Sequence, residues 1–342
     1  MEQRNSNRQN SSRSSGGSGR KRRRVRYDRV IIALAIVLIL LFLMGSCTCN
    51  CIQCVCAPSE SGETSDKEKE KEPKTTTTNS GSSGVIPVPG AVQDAFSVTL
   101  TAEDVKKGTL TVVNQNNEYT FPAGDVTLVN VFDSSNASYS VSDSDIQLDQ
   151  EVVAQLNLFL SEFSTIYGNT DLQIASGYRS KQDQHNRYSN GSSIFPGGYS
   201  DYHTGRSFDL CIAPESGLTS YFVASGDYKW IDEHAADYGF VVRYPDGKSD
   251  LTGVNPRAYT FHYVGVPHAE YIYNHELCME EYIETLKSYP STSPLTVDAG
   301  GVTWTVFYVE LSSSGNTVIN IPNHQEYSVS GDNMGGFIVA YH

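Results

Sequence analysis

Four side chains able to bind a divalent cation or move a proton fall within ten residues of one another: Ser200, Tyr202, His203 and Asp209. They lie in the stretch Gly198 to Asp209, Gly-Tyr-Ser-Asp-Tyr-His-Thr-Gly-Arg-Ser-Phe-Asp, where Gly205 is placed to turn the chain. An imidazole and a carboxylate this close are the raw material of a metal site. The same residues also read as a hydroxyl-rich surface turn running into a buried strand, Phe208 to Ile212, and short motifs of this kind recur by chance. The flanking segments decide between the two.

Such a site needs rigid elements to hold it. Upstream, Val152, Leu156, Phe159, Leu160, Phe163 and Tyr167 recur at three- and four-residue steps, which predicts a helix from Glu151 ended by Gly168. Leu172 to Ala175 reads as a strand leading into Ser176-Gly-Tyr-Arg179-Ser180, and Lys181 to Tyr188 as a helix. Downstream, Asp227 to Tyr238 reads as a helix stopped by Gly239. Phe240 to Arg243 and Tyr263 to Val266 read as strands, and Ala269 to Leu286 as a helix broken near His275. Short β-type runs precede this region at Phe96 to Leu100, Leu110 to Asn114 and Val126 to Val131. Others follow it at Thr303 to Leu311, Thr317 to Ile321 and Gly336 to Tyr341. The C-terminal group is too small to hold a large core alone, so it is expected to pack on the domain before it.

The 342 residues carry a net charge of −14, unevenly spread. Residues 1–29 hold ten Lys or Arg against Glu2 and Asp28, which leaves about −22 for the rest and argues against nucleic acid as a partner of the folded part. Val30 to Met44 is unbroken apolar sequence; extended to Asn50 it gives about 21 residues, or about 31 Å of helix, close to one bilayer core. Lys21 to Arg29 precedes it, so the N-terminus is expected in the cytoplasm and the folded part outside the cell membrane. An uncleaved anchor is preferred to a cleaved signal peptide or to a lipoprotein signal at Cys47. The basic region is long, and Met44-Gly45-Ser46-Cys47 matches a lipidation site poorly. Five of the seven cysteines cluster between Cys47 and Cys56, where acylation, local disulfides or no role are all open. Cys211 and Cys278 are expected to be buried thiols. The chain thus divides into a disordered basic tail (1–29), a transmembrane helix (30–50), a Cys-rich segment and linker (51–95), a domain (96–290, core 150–287) and a β extension (291–342).

Several pieces of the core, taken in order, carry a resemblance. They are Ser176-Gly-Tyr-Arg179-Ser-Lys-Gln-Asp-Gln184, Pro196-Gly-Gly-Tyr-Ser200 through Asp209, Tyr238-Gly-Phe-Val-Val-Arg-Tyr-Pro245, Thr252-Gly253, Tyr263-Val-Gly-Val-Pro-His-Ala269 and Glu280-Glu-Tyr-Ile283. The region from about 150 to 287 resembles the VanY-type D-alanyl-D-alanine carboxypeptidases, zinc peptidases of bacterial cell walls. The resemblance implies a compact α+β domain with a small antiparallel sheet around one zinc. It also implies the peptide stem of peptidoglycan, with its D-Ala-D-Ala terminus, as ligand. The family's metal motif is Ser-x-His-x-x-Gly-x-Ala-x-Asp, completed by Glu-x-x-His shortly before Arg-Tyr-Val-Gly. The two histidines and the aspartate bind zinc, the glutamate is the general base, and the arginine of Ser-Gly-Tyr-Arg-Ser steadies developing negative charge.

Laid on that pattern, Arg179, Gln184, Ser200, Gly205 and Asp209 stand in register, Arg179, Gln184 and Ser200 as candidate substrate contacts. Tyr202 and Thr260 occupy the two histidine positions, Arg257 the general-base position and His262 the usual arginine position. Three readings follow. One is a membrane-anchored relative with reduced or no catalysis that keeps a stem-peptide groove, in which Arg257 pairs with Asp209 in place of a metal. A second is an active zinc enzyme with a site rebuilt from Asp209 with His203 or His262, His262 being favoured because a two-residue step keeps the strand face. Asp201 or Glu270 would then supply the base, and His268 is expected to be structural. The third is a surface-tethered interaction module; the chain has 21 tyrosines and its aromatic C-terminal extension suits glycan or protein contacts.

Overall fold

A computed structural model describes residues 95–323 and 326–342, all within the unit Gly84–His342. The expected basic tail, membrane helix and Cys47–Cys56 cluster lie outside the described residues, as does the linker up to residue 94. Among the described residues no helix is long and apolar enough to cross a membrane.

β1 (Ala95–Thr101) alternates exposed and half-buried residues. After it come β2 (Leu128–Asn130), β3 (Ser140–Val141) and β4 (Gln147–Asp149), with β2 antiparallel to β4. The expected strand at Leu110 to Asn114 is absent. Leu110, Val112 and Val113 are buried, but their stretch forms no sheet; Leu110 N–H donates to Ser330 Oγ and Val112 N–H to the Asp332 carbonyl.

α1 (Gln150–Tyr167) forms as its periodicity predicts. Asp149 caps it by accepting from Glu151 N–H at 2.9 Å, and Gly168 ends it in the left-handed conformation. Val152, Leu156, Phe159, Leu160 and Phe163 are buried, in one core with Phe208, Phe240 and Phe261. β5 (Leu172–Ser176), α2 (Lys181–Ser189), β6 (Ser207–Ile212), β7 (Ser220–Tyr221), α3 (Lys229–His234) and β8 (Phe240–Tyr244) follow.

β9 (Arg257–Tyr263) corrects the expected strand at Tyr263 to Val266. Tyr259, Phe261 and Tyr263 alternate with smaller or polar residues, so the strand ends where Gly265 turns into α4 (Val266–Asn274). The break near His275 separates α4 from α5 (Met279–Leu286). Cys211 and Cys278 are free and buried.

β3-β5-β6-β9-β8 make the central sheet, with β7 also on β6. Its pairings are antiparallel except β3 with β5. On β6 and β9, Phe208 and Phe261 stack on the core face, while Ser207 and Asp209 stand opposite His262 and Thr260 on the other face. The C-terminal extension adds β10 (Leu295–Ala299), β11 (Val302–Glu310), β12 (Asn316–Pro322), β13 (Tyr327–Gly331) and β14 (Gly336–Tyr341). Four of these form a sheet in the order β10-β11-β14-β13; β12 pairs instead with β1, so the first described strand joins the C-terminal extension.

Under the polar face lies a charge cluster in which Arg243, Asp201 and His262 are buried and Glu280 is nearly so. Arg243 on β8 donates from Nε to Asp201 Oδ1 at 3.0 Å and from both terminal nitrogens to Glu280 at 2.9 and 3.1 Å. Asp201 Oδ2 also accepts from Ser207 Oγ and from His262 Nδ1, the latter at 2.7 Å. Burial alone would raise the Asp201 carboxyl, but His262 and Arg243 outweigh it and hold it well below its ordinary value. Glu280 is likewise lowered, with Arg243 overcoming its burial.

Two predictions follow from these contacts. Gly205 has φ +66° and an added Cβ would meet Leu128 Cδ2 at 2.9 Å. Gly205→Ala should therefore cost roughly 1–3 kcal/mol in urea unfolding, and an unshifted midpoint would contradict the turn geometry. A carboxyl held low in the folded state stabilises it fully above its unfolded value, here 3.8 for Asp201 and 4.5 for Glu280, and that stability is lost as pH falls through the folded value. Wild-type stability should thus decline on acidification below those values. Arg243→Met should remove roughly 3–5 kcal/mol at neutral pH by taking the cation from between Asp201 and Glu280 and should shrink the acid-side decline, His262 still holding Asp201 low; a variant with the full wild-type acid limb would rule out this network.

Candidate functional site

The residues that sequence placed at the metal motif do converge. Asp209 points from the middle of β6, Thr260 sits directly opposite on β9, and the 3-10 turn Asp201–Thr204 brings Tyr202 over them. Tyr202 OH donates to Asp209 Oδ1 at 2.6 Å and Thr260 Oγ1 donates to the same oxygen at 2.7 Å. All three are buried, Asp209 retaining 7% exposure. Burial, followed by the Asp209 charge, pushes the Tyr202 phenol well above its ordinary value, so it remains a protonated donor.

This donor set does not fit zinc. Zinc sites use thiolate, imidazole and carboxylate ligands; here one carboxylate faces a neutral phenol and an aliphatic hydroxyl, both of which direct their hydrogens at it. Among the described residues no cluster of three His, Cys, Asp or Glu could hold a metal.

Neither proposed substitute histidine has a free ring nitrogen to offer. His203 is buried, with Nε2 accepting from Gly198 N–H at 2.9 Å and Nδ1 donating to the Arg179 carbonyl at 2.6 Å. Burial lowers its pKa, in keeping with a neutral ring. His262 shares the strand face of Thr260, as expected, but lies two pairs further along. Both of its ring nitrogens are engaged, Nδ1 with Asp201 Oδ2 and Ser207 Oγ and Nε2 with the Thr109 carbonyl at 3.1 Å. Asp201, weighed as a base, is consumed by Arg243, Ser207 and His262. Glu270 lies buried on α4 and accepts from Asn274. His268 bonds Tyr282 OH at 2.7 Å, and burial drives its pKa down to about 3, which suits a structural role.

The expected Arg257–Asp209 pair is not formed; the carboxylate is held instead by two hydroxyls, both at Oδ1. Arg257 instead stands 5.8 Å from the Tyr244 ring centroid. The Arg179 guanidinium lies over the Tyr202 ring, 3.8 Å from its centroid, with long contacts to Gln184 Oε1 and Ser176 Oγ. Burial lowers the Arg179 pKa, the charges of Arg187 and Arg257 push the same way, and Tyr202 and Asp209 oppose them. Among the described residues neither Arg179 nor Arg257 has a carboxylate at ion-pair distance.

Gln184 and Ser200 act at one remove. Gln184 is fully buried and its amide donates to Ser193 Oγ and the Phe195 carbonyl, each at 2.7 Å, fastening the loop beside Arg179. Ser200 is buried at the start of the Tyr202 turn, where its carbonyl accepts from His203 N–H. Sequence reasoning gave Arg243, Ser207 and Glu280 no role, although an arginine inside the apolar strand Phe240 to Tyr244 signals a buried ion pair. It also missed the aromatic pair Tyr221 and Tyr259, stacked at 4.0 Å where β7 and β9 meet the same edge of β6.

Residues 145–266 match the family model described as VanY, D-alanyl-D-alanine carboxypeptidase. A D-alanyl-D-alanine carboxypeptidase of Enterococcus faecium is 30% identical over 258 residues, covering 73% of this chain and 80% of that relative. Among solved structures, the vancomycin resistance D,D-dipeptidase VanXYg in complex with a D-Ala-D-Ala phosphinate analog shares the fold at a TM-score of 0.63. The match has 24% identity and covers 72% of this chain and 98% of that one. A VanY D,D-pentapeptidase from a VanB-type resistance cassette, solved in complex with Zn(II), is 26% identical, with a TM-score of 0.38 over 51% of this chain and 98% of that one. By the extent of the Enterococcus match and the motif order, the chain belongs to the VanY family of D-alanyl-D-alanine carboxypeptidases.

Proposed function

We propose that this chain is a membrane-anchored, extracytoplasmic member of its family that binds the D-Ala-D-Ala ends of peptidoglycan stem peptides without hydrolysing them. One observation carries the reading: Tyr202 and Thr260, at the positions where the family pattern has histidine, both hydrogen-bond Asp209 Oδ1. With both hydroxyl hydrogens committed to the carboxylate, the three residues form a closed cluster in place of an ion. Arg257, at the general-base position, has no lone pair with which to take a proton from water.

Binding is supported by the charge of the same site. Arg179 and Arg257, both half-buried, are cations without carboxylate partners among the described residues. A ligand ending in a free carboxylate supplies what they lack, and a guanidinium held over a ring is preorganised to grip it. The VanXYg structure was solved with a D-Ala-D-Ala phosphinate analog. Anchoring is supported by the apolar run Val30 to Met44 behind the basic segment Lys21 to Arg29.

The test is calorimetric titration of the full-length protein with a peptide ending in D-Ala-D-Ala, alongside an assay for released D-alanine. The free-acid peptide should bind and remain intact. Its C-terminal amide, Arg179→Ala and Arg257→Ala should each weaken binding by roughly tenfold or more. Turnover abolished by a chelator would overturn the non-hydrolytic reading, and equal affinity for acid and amide would remove the role given to the two arginines.

A further inference from the structure

A second cleft lies at the other end of β6 and β9, between the family core and the C-terminal extension. It is a cavity of about 510 Å³, inside the range of roughly 300–1,000 Å³ typical of small-molecule sites. Glu151 and Gln155 from the first turns of α1, with Arg206 and Tyr263 at the strand ends, line one side; Trp304 on β11 and Tyr327 on β13 line the other.

The chemistry of this lining is selective. Arg206 is neutralised by Asp125, to which both of its terminal nitrogens donate at 3.0–3.1 Å. Tyr263 OH donates to Glu151 Oε1 at 2.7 Å, leaving the rest of that exposed carboxylate as an acceptor. Glu326 lies at the margin, where it meets His342, and His342 packs edge-on against Trp304 at 4.3 Å. The uncompensated charge is therefore negative, which disfavours an anionic ligand. The half-buried Gln155 amide makes no hydrogen bond among the described residues.

A wholly apolar ligand would waste the carboxylates and the amide, and an acidic peptide end would be repelled. We propose that this cleft binds a short neutral saccharide. A sugar ring offers a C–H face to Trp304 and Tyr327 and hydroxyls that both donate to Glu151 and accept from Gln155. The inference is independent of the stem-peptide reading, because it uses other residues and another end of the sheet.

The experiment titrates full-length protein with N,N′-diacetylchitobiose, followed by calorimetry and by tryptophan fluorescence. The chain has two tryptophans, and Trp230 lies in the core, so Trp304 reports the cleft. Saturable binding should perturb the fluorescence and persist in saturating D-Ala-D-Ala peptide. It should fall at least roughly tenfold, about 1.4 kcal/mol, in Tyr327→Ala and Gln155→Ala. Trp304→Phe, which keeps one aromatic ring and loses the pyrrole half of the indole, should weaken it by a smaller factor in calorimetry. Absence of heat and fluorescence change up to about 10 mM, beyond millimolar affinity, would overturn the proposal. Full competition by the peptide would also overturn it, by placing the sugar in the arginine site.

Discussion

Asp209 is a carboxylate in the middle of a buried strand, and burying an anion is costly unless its oxygens are hydrogen-bonded. Two hydroxyls meet that requirement, and the local structure follows from bringing them together. Thr260 must stand directly across from Asp209, which fixes the register of β6 against β9. Tyr202 must reach over from the turn before β6, which needs the left-handed Gly205 between turn and strand. The same phenol then offers its ring face to Arg179. An ion would have drawn the three side chains around itself; here the hydrogen bonds draw them onto one oxygen.

Beneath this cluster the Arg243 network supplies the rigidity. It joins β8, the turn at Asp201, β6 through Ser207, β9 through His262, and α5 through Glu280. Every charged member is balanced by a neighbour, whereas the two arginines above it are not. The charge left over for a ligand is therefore positive at the Asp209 end of the sheet and negative at the cleft beside Trp304. Two ends of one sheet would select ligands of different charge.

Much of this was legible in the sequence, and the failures have physical causes. α1 declared itself by period and stop signal because its inner stripe is purely apolar. β10 carries a clear alternation in Leu295, Val297 and Ala299 but is only five residues long, and β13 has too few apolar residues to stand out. β9 was misplaced by a few residues because Thr260 and His262 dilute its pattern. Leu110 to Asn114 looks like a strand because it is apolar, yet its backbone bonds go to Ser330 and Asp332, partners more than two hundred residues away. At the site, motif spacing identified Asp209, Tyr202 and Thr260 as neighbours. It could not show that the hydroxyls would satisfy Asp209 themselves, since that depends on side-chain reach, and so Arg257 was assigned a partner that it does not have.

The central claim is that a hydroxyl pair takes the place of an ion at Asp209. The most direct test is zinc content after dialysis of the full-length protein beside its Tyr202→His/Thr260→His variant, with calorimetric titration of both. The account predicts no stoichiometric zinc in the wild type and tight, stoichiometric zinc once two imidazoles face the carboxylate. Stoichiometric zinc of sub-micromolar affinity in the wild type would contradict it.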